Sequence, residues 1–239
     1  MASDRPAWAQ NLPSQGTYYY KFWDFATSAD LADFVPTIVT DGAGWDGSIA
    51  ITDARGGVLA CTNTTTDDDE IQMDTEWETI RFNKLGFTYY IYGRFKIDDA
   101  TQLDLVFGVH KRDTTWITLT SDGIFFAKDD GSTDIKGKSA FNASATSEYG
   151  STTGASTADT SYHDFEIRVV TDANTLGAGV ISFYVDGTLV GQLGSNQSAT
   201  SICHDEEMTI GWAHRNGEAA AKTFSIDKLG VLAAPTGTT

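Results

Sequence analysis

The chain has 239 residues, of which 41% are hydrophobic and 12% aromatic, enough to bury the core of one large domain. Its formal net charge of −17 repels phosphate backbones, which argues against nucleic acid as a partner. No apolar run approaches the length of a membrane span, and residues 1–16 lack the apolar core of a secretory signal. We therefore expect no membrane partner, and synthesis in a cytoplasm.

Residues 1–16 are predicted to form an extended N-terminal arm. They combine Pro6, Pro13 and Gly16 with polar residues around a single aromatic side chain, Trp8. The segment has too few apolar residues to fold alone, and tryptophan is enriched at interface hot spots. Trp8, Pro6 and Pro13 are therefore our candidate partner-binding residues. The tryptophan could dock on its own domain or on a neighbouring subunit.

Residues 17–232 are predicted to form a single all-β domain, an antiparallel two-sheet β-sandwich. Short segments that alternate apolar and polar residues are separated by Gly and Asp turns, with no sustained 3.6-residue periodicity. A connection is expected over residues 30–47, with one short helical turn near 31–35. Strands are predicted over residues 18–25, 48–52, 57–62, 70–80, 88–97, 103–109, 115–120 and 124–127.

The second half of the domain begins with a long loop. Residues 139–161 are rich in Ser, Thr, Ala and Gly, and we expect them to be mobile or to order only against a partner. Alternating strand patterns occupy residues 162–229. Within them, Asp186 and Gly187 predict a two-residue type I′ turn, because both residues tolerate the positive φ that it requires. Residues 233–239 are expected to be a flexible tail.

Four segments near the C-terminus carry a resemblance to a known family. They are HDFEIRV (163–169), ISFYVDGTLVGQL (181–193), MTIGWAHRNGEAA (208–220) and FSIDKLGV (224–231). With them, the chain resembles the concanavalin A-like (laminin-G-like) jelly-roll proteins that serve as virion structural proteins of tailed phages. That resemblance implies a jelly-roll sandwich used as capsid decoration or cement, or as part of a tail or fibre. It implies no catalytic residues. Because the fold also hosts lectins, glycoside hydrolases and polysaccharide lyases, function must be argued from the site.

A row of acidic residues gives the sharpest enzymatic hypothesis. On one long strand, Glu70, Gln72, Asp74, Glu76 and Glu78 would share a face. Laminarinase-type glycoside hydrolases of the same fold carry Glu-x-Asp-x-Glu on a strand face, with one carboxylate as nucleophile and another as acid/base. No frame of this row reproduces that order of residue types. We therefore predict no catalytic residues, and interpret the row as a solvated acidic face or one that meets cations across an interface.

No metal or cofactor site is predicted. The histidines have no zinc-ligand spacing, and the acidic turns lack a complete calcium-loop signature. The segment GSTDIKGKS (131–139) has the wrong spacing for a phosphate-binding loop. Cys61 and Cys203 are expected to be small buried hydrophobic residues, with a disulfide as the alternative. The histidines are His110, His163, His204 and His214, and the acidic turns lie at 67–69, 98–99 and 129–134.

Aromatic side chains offer possible stacking surfaces for a sugar. Trp77 is in phase with the apolar residues of its predicted strand, and Trp212 is in phase with those of its own, so both are expected in the core. Tyr92 and Trp116 lie opposite the aliphatic faces of their predicted strands. They are therefore the candidate glycan-stacking residues.

The residues and the resemblance support three hypotheses for the function of this chain. The first is a non-enzymatic virion structural protein, a capsid decoration protein on the outside of a tailed-phage capsid. Its partner would be the major capsid protein or another virion protein, with self-association left open. The second is a carbohydrate-binding, lectin-like module on a virion or tail. The third is a glycoside hydrolase or polysaccharide lyase.

Overall fold

The computed structural model of the chain describes residues 19–39, 47–52, 56–78, 80–112, 116–118, 122–140, 147–150, 158–194 and 200–236. Within these ranges the chain forms sixteen strands in two antiparallel sheets. The remaining regular elements there are a four-residue helix, α1 (Ser28–Leu31), and a 3-10 turn, Trp116–Thr118. The predicted all-β, two-sheet sandwich is confirmed. None of the helices in the described ranges is long and apolar enough to cross a membrane.

The larger sheet, called sheet A, has nine strands in the described part of the chain. Its main path runs β13-β12-β11-β6-β16-β4-β3, with β1 paired to β16 and β14 paired to β12. The strands are β1 (Tyr19–Trp23), β3 (Ser48–Ile51), β4 (Leu59–Thr62), β6 (Phe87–Ile97), β11 (His163–Thr171), β12 (Ala178–Val185), β13 (Thr188–Leu193), β14 (Thr200–Ser201) and β16 (Thr223–Pro235).

The second sheet, called sheet B, has seven strands among the described residues, in the order β10-β9-β8-β7-β15-β5-β2. Its central strands pair in long antiparallel registers, with Trp212 opposite both Met73 and Phe107. The strands are β2 (Phe34–Val39), β5 (Glu70–Thr75), β7 (Leu103–His110), β8 (Gly123–Lys128), β9 (Ile135–Ala140), β10 (Ser147–Gly150) and β15 (Thr209–Asn216).

The core lies between the sheets and is rich in aromatic rings. Phe95 and Phe165 of sheet A stack at 4.0 Å, and they meet Phe107 and Phe126 of sheet B at 5.2 and 5.3 Å. All four rings are buried. Full burial of one such ring stabilises the fold by about 1.5–3 kcal/mol. Gly93 leaves room for this packing, since a Cβ there would lie 2.6 Å from the Phe107 ring.

Two local predictions are confirmed. The β12–β13 hairpin turns at Asp186 and Gly187, whose φ angles are 49° and 75°, as a type I′ turn requires. Cys61 and Cys203 are free and buried, so the disulfide alternative does not apply.

Several predicted boundaries are wrong. The strand predicted over 70–80 ends at Thr75, and Trp77, expected in the core, is 58% exposed. The segment predicted as a strand at 115–120 contains the 3-10 turn instead. The connection expected over 30–47 contains strand β2, and the loop at 139–161 contains β10. The helical turn expected near 31–35 lies slightly upstream, at Ser28–Leu31.

The expected C-terminal tail at 233–239 also needs correction. Strand β16 continues to Pro235, and Ala233 and Ala234 are buried. They stay ordered because they pair with Tyr89 and Thr88 of β6. Residues 237–239 lie outside the described part of the chain. The predicted arm at 1–16, with Trp8, Pro6 and Pro13, also lies outside the described residues.

Candidate functional site

Strand β5 places three polar side chains on the face of sheet B that points away from the core. Ile71 and Met73 enter the inter-sheet core, so Glu70, Gln72 and Asp74 point to the opposite face. Their residues are only 4%, 0% and 0% exposed. The prediction of a solvated acidic face is therefore wrong for these residues, because something covers them.

The cover is the 3-10 turn at Trp116–Thr118. Trp116 is fully buried and belongs to a second apolar cluster outside the main core. Its ring stacks on the His110 imidazole, with centroids 3.8 Å apart and planes at 15°. The expectation that Trp116 presents a stacking face to a sugar is wrong, since no part of the ring is exposed. The other members of this cluster are Val106, Phe125, Ala127 and Ala213, with Ile117 packed against it.

A continuous chain of hydrogen bonds runs beneath this cover. The Trp116 main-chain N–H donates to Gln72 Oε1 at 3.0 Å, and Gln72 Nε2 donates to Asp74 Oδ2 at 2.6 Å. His110 Nε2 lies 2.8 Å from Asp74 Oδ1, and His110 Nδ1 lies 2.7 Å from the carbonyl oxygen of Lys111. A carbonyl can only accept, so Nδ1 carries a hydrogen. Both oxygens of Asp74 are thus used inside the protein.

Glu70 occupies a separate position on the same face. Burial raises its pKa to about 7, against the opposing effect of the Arg215 charge. Arg215 itself is committed to Asp104, donating from Nε and Nη2 to Oδ2 at 2.9 and 2.6 Å. Within the described residues, Glu70 Oε1 has no hydrogen-bond partner. The site therefore contains a buried carboxyl group with a raised pKa, beside the Arg215–Asp104 ion pair.

The two remaining acids of the predicted row do not join this face. Because β5 ends at Thr75, Glu76 and Glu78 follow the strand rather than extending its alternation. Glu78 Oε1 accepts a hydrogen bond from the Arg112 main-chain N–H at 2.8 Å, and Glu76 is exposed. The continuous acidic ladder expected from the sequence does not form.

A small open cavity lies beside the Trp116 turn. Its volume is about 70 Å³, room for several water molecules but well below the several hundred Å³ of a typical ligand pocket. Asp104 and Lys138 supply charge, and Phe125 and Ala127 supply an apolar surface.

Tyr92 lies on strand β6 of sheet A and is not among the residues that line this cavity. Its residue is 7% exposed, and its hydroxyl donates to Asp164 Oδ1 at 2.7 Å. Burial and this carboxylate raise the pKa of the phenol. The structure does not bring Tyr92 and Trp116 together, and neither ring is open. The predicted sugar-stacking pair is therefore not a binding platform here.

Among the described residues, no group of three or more His, Cys, Asp or Glu side chains is placed to hold a metal ion. His214 is fully buried, which lowers its pKa to about 4 and keeps the ring neutral. Asp99, in one of the acidic turns, accepts hydrogen bonds from the main-chain N–H groups of Thr101 and Gln102. That turn uses its carboxylate to hold its own backbone.

The covered face of sheet B was not predicted, although strands β7 and β8 carry a sequence signal for it. Strands β7 and β8 read LDLVFGVH and GIFFAK, with apolar residues on both faces. Such near-continuous apolar runs indicate strands covered on both sides. That pattern predicts a layer over sheet B, and therefore burial of the acids on neighbouring β5. It does not reveal which segment supplies the layer.

No family model matches this sequence, and no curated protein matches it. Solved structures do resemble it. An endo-1,3-beta-glucanase from Streptomyces sioyaensis is 12% identical with a TM-score of 0.60, covering 93% of this chain and 99% of that one. A protein of unknown function from Shewanella oneidensis MR-1 is 17% identical with a TM-score of 0.56, covering 97% and 93%.

The carbohydrate recognition domain of Emp46p, in its potassium-bound form, is 12% identical with a TM-score of 0.54, covering 85% of this chain and 90% of that one. At such low identity these likenesses establish the fold alone. The chain is a jelly-roll sandwich of the kind seen in lectin-like and glucanase domains, which confirms the predicted fold class.

Proposed function

We propose that this chain is a non-enzymatic structural protein, and more specifically a decoration subunit on the outside of a tailed-phage capsid. One observation carries the non-enzymatic part. The acid-bearing face of sheet B is filled by the chain's own Trp116 turn, with Trp116 0% exposed. Because Glu70 and Asp74 are buried within the described part of the chain, a polymeric substrate does not reach these acids.

The chemistry of the acids supports the same conclusion. Retaining glycoside hydrolysis needs two accessible carboxyl groups about 5–5.5 Å apart across the scissile bond. Here both Asp74 oxygens are engaged by Gln72 and His110, and Glu70 is buried. Alternate residues on a strand are about 7 Å apart, so Glu70 and Asp74 are separated by roughly twice that distance along β5.

The decoration role is supported by the sequence resemblance and by the surface charge. A net charge of −17 keeps such a subunit soluble until it meets a complementary surface. The proposed anchor is the arm at residues 1–16, with Trp8 at its centre. An arm that orders on binding can cover a large area at modest affinity, which suits a subunit held in a repeated lattice.

The test is copy number on purified particles, measured by quantitative mass spectrometry. Hundreds of copies per particle are expected for a capsid subunit, and a handful would move the protein to a tail. Deletion of residues 1–16 should leave a folded sandwich that no longer joins the particle. Its full retention on particles would overturn the proposed anchor, and absence of the protein from all particles would overturn the decoration role.

A second candidate is a lectin-like glycan-binding module, favoured by the structural likeness to the Emp46p carbohydrate recognition domain. The cavity beside Trp116 is the place to test it. Lys138 lines this cavity, whereas Lys136, two residues earlier on the same strand face, does not. If the chain binds glycans there, Lys138→Met should reduce glycan-array signals and Lys136→Met should not.

An enzyme assay separates both candidates from the hydrolase hypothesis. Purified protein incubated with β-1,3-glucan should release no reducing sugar above a heat-treated control. If it does release sugar, and Glu70→Gln or Asp74→Asn abolishes the release, the non-enzymatic proposal is wrong.

A further inference from the structure

A buried ammonium group lies at the end of strand β8, among the residues that line the cavity beside the Trp116 turn. Lys128, the last residue of β8, is only 2% exposed. Its Nζ donates to three main-chain carbonyls, those of Leu103 at 2.6 Å, Thr101 at 3.1 Å and Asp129 at 3.4 Å. The three hydrogens of the ammonium therefore have three carbonyl partners.

The surroundings of this ammonium contain oxygen ligands and negative charge. Burial lowers the pKa of Lys128, and the charges of Asp104, Asp130, Asp99 and Asp129 oppose that effect. A cage of carbonyl oxygens within a negative field is the chemistry by which proteins hold hard cations. Neutral carbonyl ligands in direct contact suit a monovalent ion in particular.

We propose that the carbonyls of Thr101, Leu103 and Asp129 form a monovalent-cation site which the chain fills with its own Lys128 ammonium. The side chain supplies one positive charge at the centre of the cage, tethered through β8. The site then needs no potassium or ammonium ion from solution.

A second buried ammonium binds the same segment through Asp99. Lys222 is 5% exposed, and its Nζ lies 2.6 Å from Asp99 Oδ2 and also bonds Glu218. Residues 98–103 are thus fastened between two lysines, one bound through main-chain carbonyls and the other through carboxylates. Removal of Lys128 alone should empty the carbonyl cage while Lys222 keeps the turn close to its present position.

The experiment compares melting temperatures in the chlorides of potassium, ammonium and tetramethylammonium at equal ionic strength. Tetramethylammonium is too large for the cage and gives the baseline. The wild type should melt at the same temperature in all three salts. Lys128→Ala, which empties the cage, should melt at a lower temperature in tetramethylammonium and recover with rising potassium or ammonium concentration.

Two controls make the result specific. Lys128→Met fills the cage with an uncharged chain of similar length, so it should show no preference among the salts. Lys138→Ala removes a lysine outside the cage and should show none either. If Lys128→Ala is unfolded in tetramethylammonium, recovery of its folded circular dichroism spectrum in potassium supports the site. Equal melting, or equal unfolding, of Lys128→Ala in all three salts would overturn the proposal.

Discussion

The Trp116 ring lies parallel to the His110 imidazole, with centroids 3.8 Å apart and planes at 15°. His110 lies on β7, and its Nε2 contacts Asp74 of β5. The stack therefore connects the covering turn to the hydrogen-bonded side chains on sheet B. The same turn is tied a second time, through the Trp116 N–H and Gln72. This short turn therefore keeps the acidic side chains of β5 buried rather than exposed to solvent.

Replacement of Trp116 by alanine should destabilise the fold strongly. Removal of a fully buried tryptophan costs about 3–5 kcal/mol, since the ring leaves a cavity that the surroundings fill only partly. Trp77→Ala is the matched control, because Trp77 is 58% exposed and should change stability by about 0.5 kcal/mol or less. Urea unfolding of the two variants measures the difference. Equal effects would show that the 3-10 turn does not cover the sheet in solution.

The hairpin turn gives a test of backbone strain without steric clash. Gly187 has φ of +75°, yet a Cβ placed there would meet nothing within 4 Å. Gly187→Val should therefore destabilise by about 1–3 kcal/mol through the positive φ alone. Gly56→Val is the control, since Gly56 is equally open but has no such φ. An unchanged melting temperature for Gly187→Val would mean that the turn adopts another conformation.

The sequence predicts the regular parts of this fold well and its cover poorly. The Asp186-Gly187 turn and the buried Trp212 follow from local chemistry and strand alternation, and both are correct. The prediction that Trp77 lies in the core is wrong, because the strand ends at Thr75 and its alternation does not extend to Trp77. Alternation assigns a residue to a face but does not say where pairing stops.

The candidate site was harder to predict because its burial depends on a distant segment. Gln72 connects Asp74 and Trp116 through hydrogen bonds. The local sequence pattern of β5 does not predict this contact. Tyr92 also lies opposite the aliphatic face as predicted, but it is buried, and its hydroxyl bonds Asp164 of the neighbouring strand β11. Alternation assigns a residue to the outer face of a sheet but does not predict what packs against it there.

His163 should make stability depend on pH near neutrality. Its Nδ1 lies 2.6 Å from Asp186 Oδ2 and its Nε2 lies 3.0 Å from Asp159 Oδ1, so both ring nitrogens must be protonated to donate. Partial burial opposes the charge, but the hydrogen bonds to the two carboxylates outweigh it and raise the pKa of His163 above 6.5. The resulting stability is fully present below about pH 6.5 and is lost as the pH rises through the higher value in the folded protein.

The measurement is the difference in melting temperature between wild type and His163→Gln at pH 5.5 and pH 9. We expect wild type to be more stable than His163→Gln at the lower pH. The difference should be about 1 kcal/mol or less, because the two carboxylates are largely exposed to solvent. Asp159→Asn should reduce the effect, and the double variant should show less than the sum of the two changes. A difference that grows toward pH 9 would contradict the proton assignment.

Glu70 should show the corresponding behaviour of a buried acid. Its pKa is raised from 4.5 to about 7, mainly by burial, so the folded protein retains a proton that the unfolded chain has released. The stability that this retained proton contributes is fully present below about pH 4.5 and is lost as the pH rises toward 7. Above that range, the folded state must hold a charged Glu70 carboxylate, and its Oε1 has no hydrogen-bond partner among the described residues.

Glu70→Gln removes this ionisation while keeping the size of the side chain. The free energy of unfolding of the variant, relative to that of wild type, should therefore rise between pH 5 and pH 8. The rise should be on the order of 1.4 kcal/mol for each pKa unit of the shift. Glu76→Gln, at an exposed position after the strand, should show little pH-dependent change. Urea unfolding at both pH values measures the two differences. If the stability of Glu70→Gln relative to wild type instead falls at pH 8, the wild-type carboxylate is ionised and paired with Arg215. The face beneath Trp116 would then be more open to water than its burial indicates.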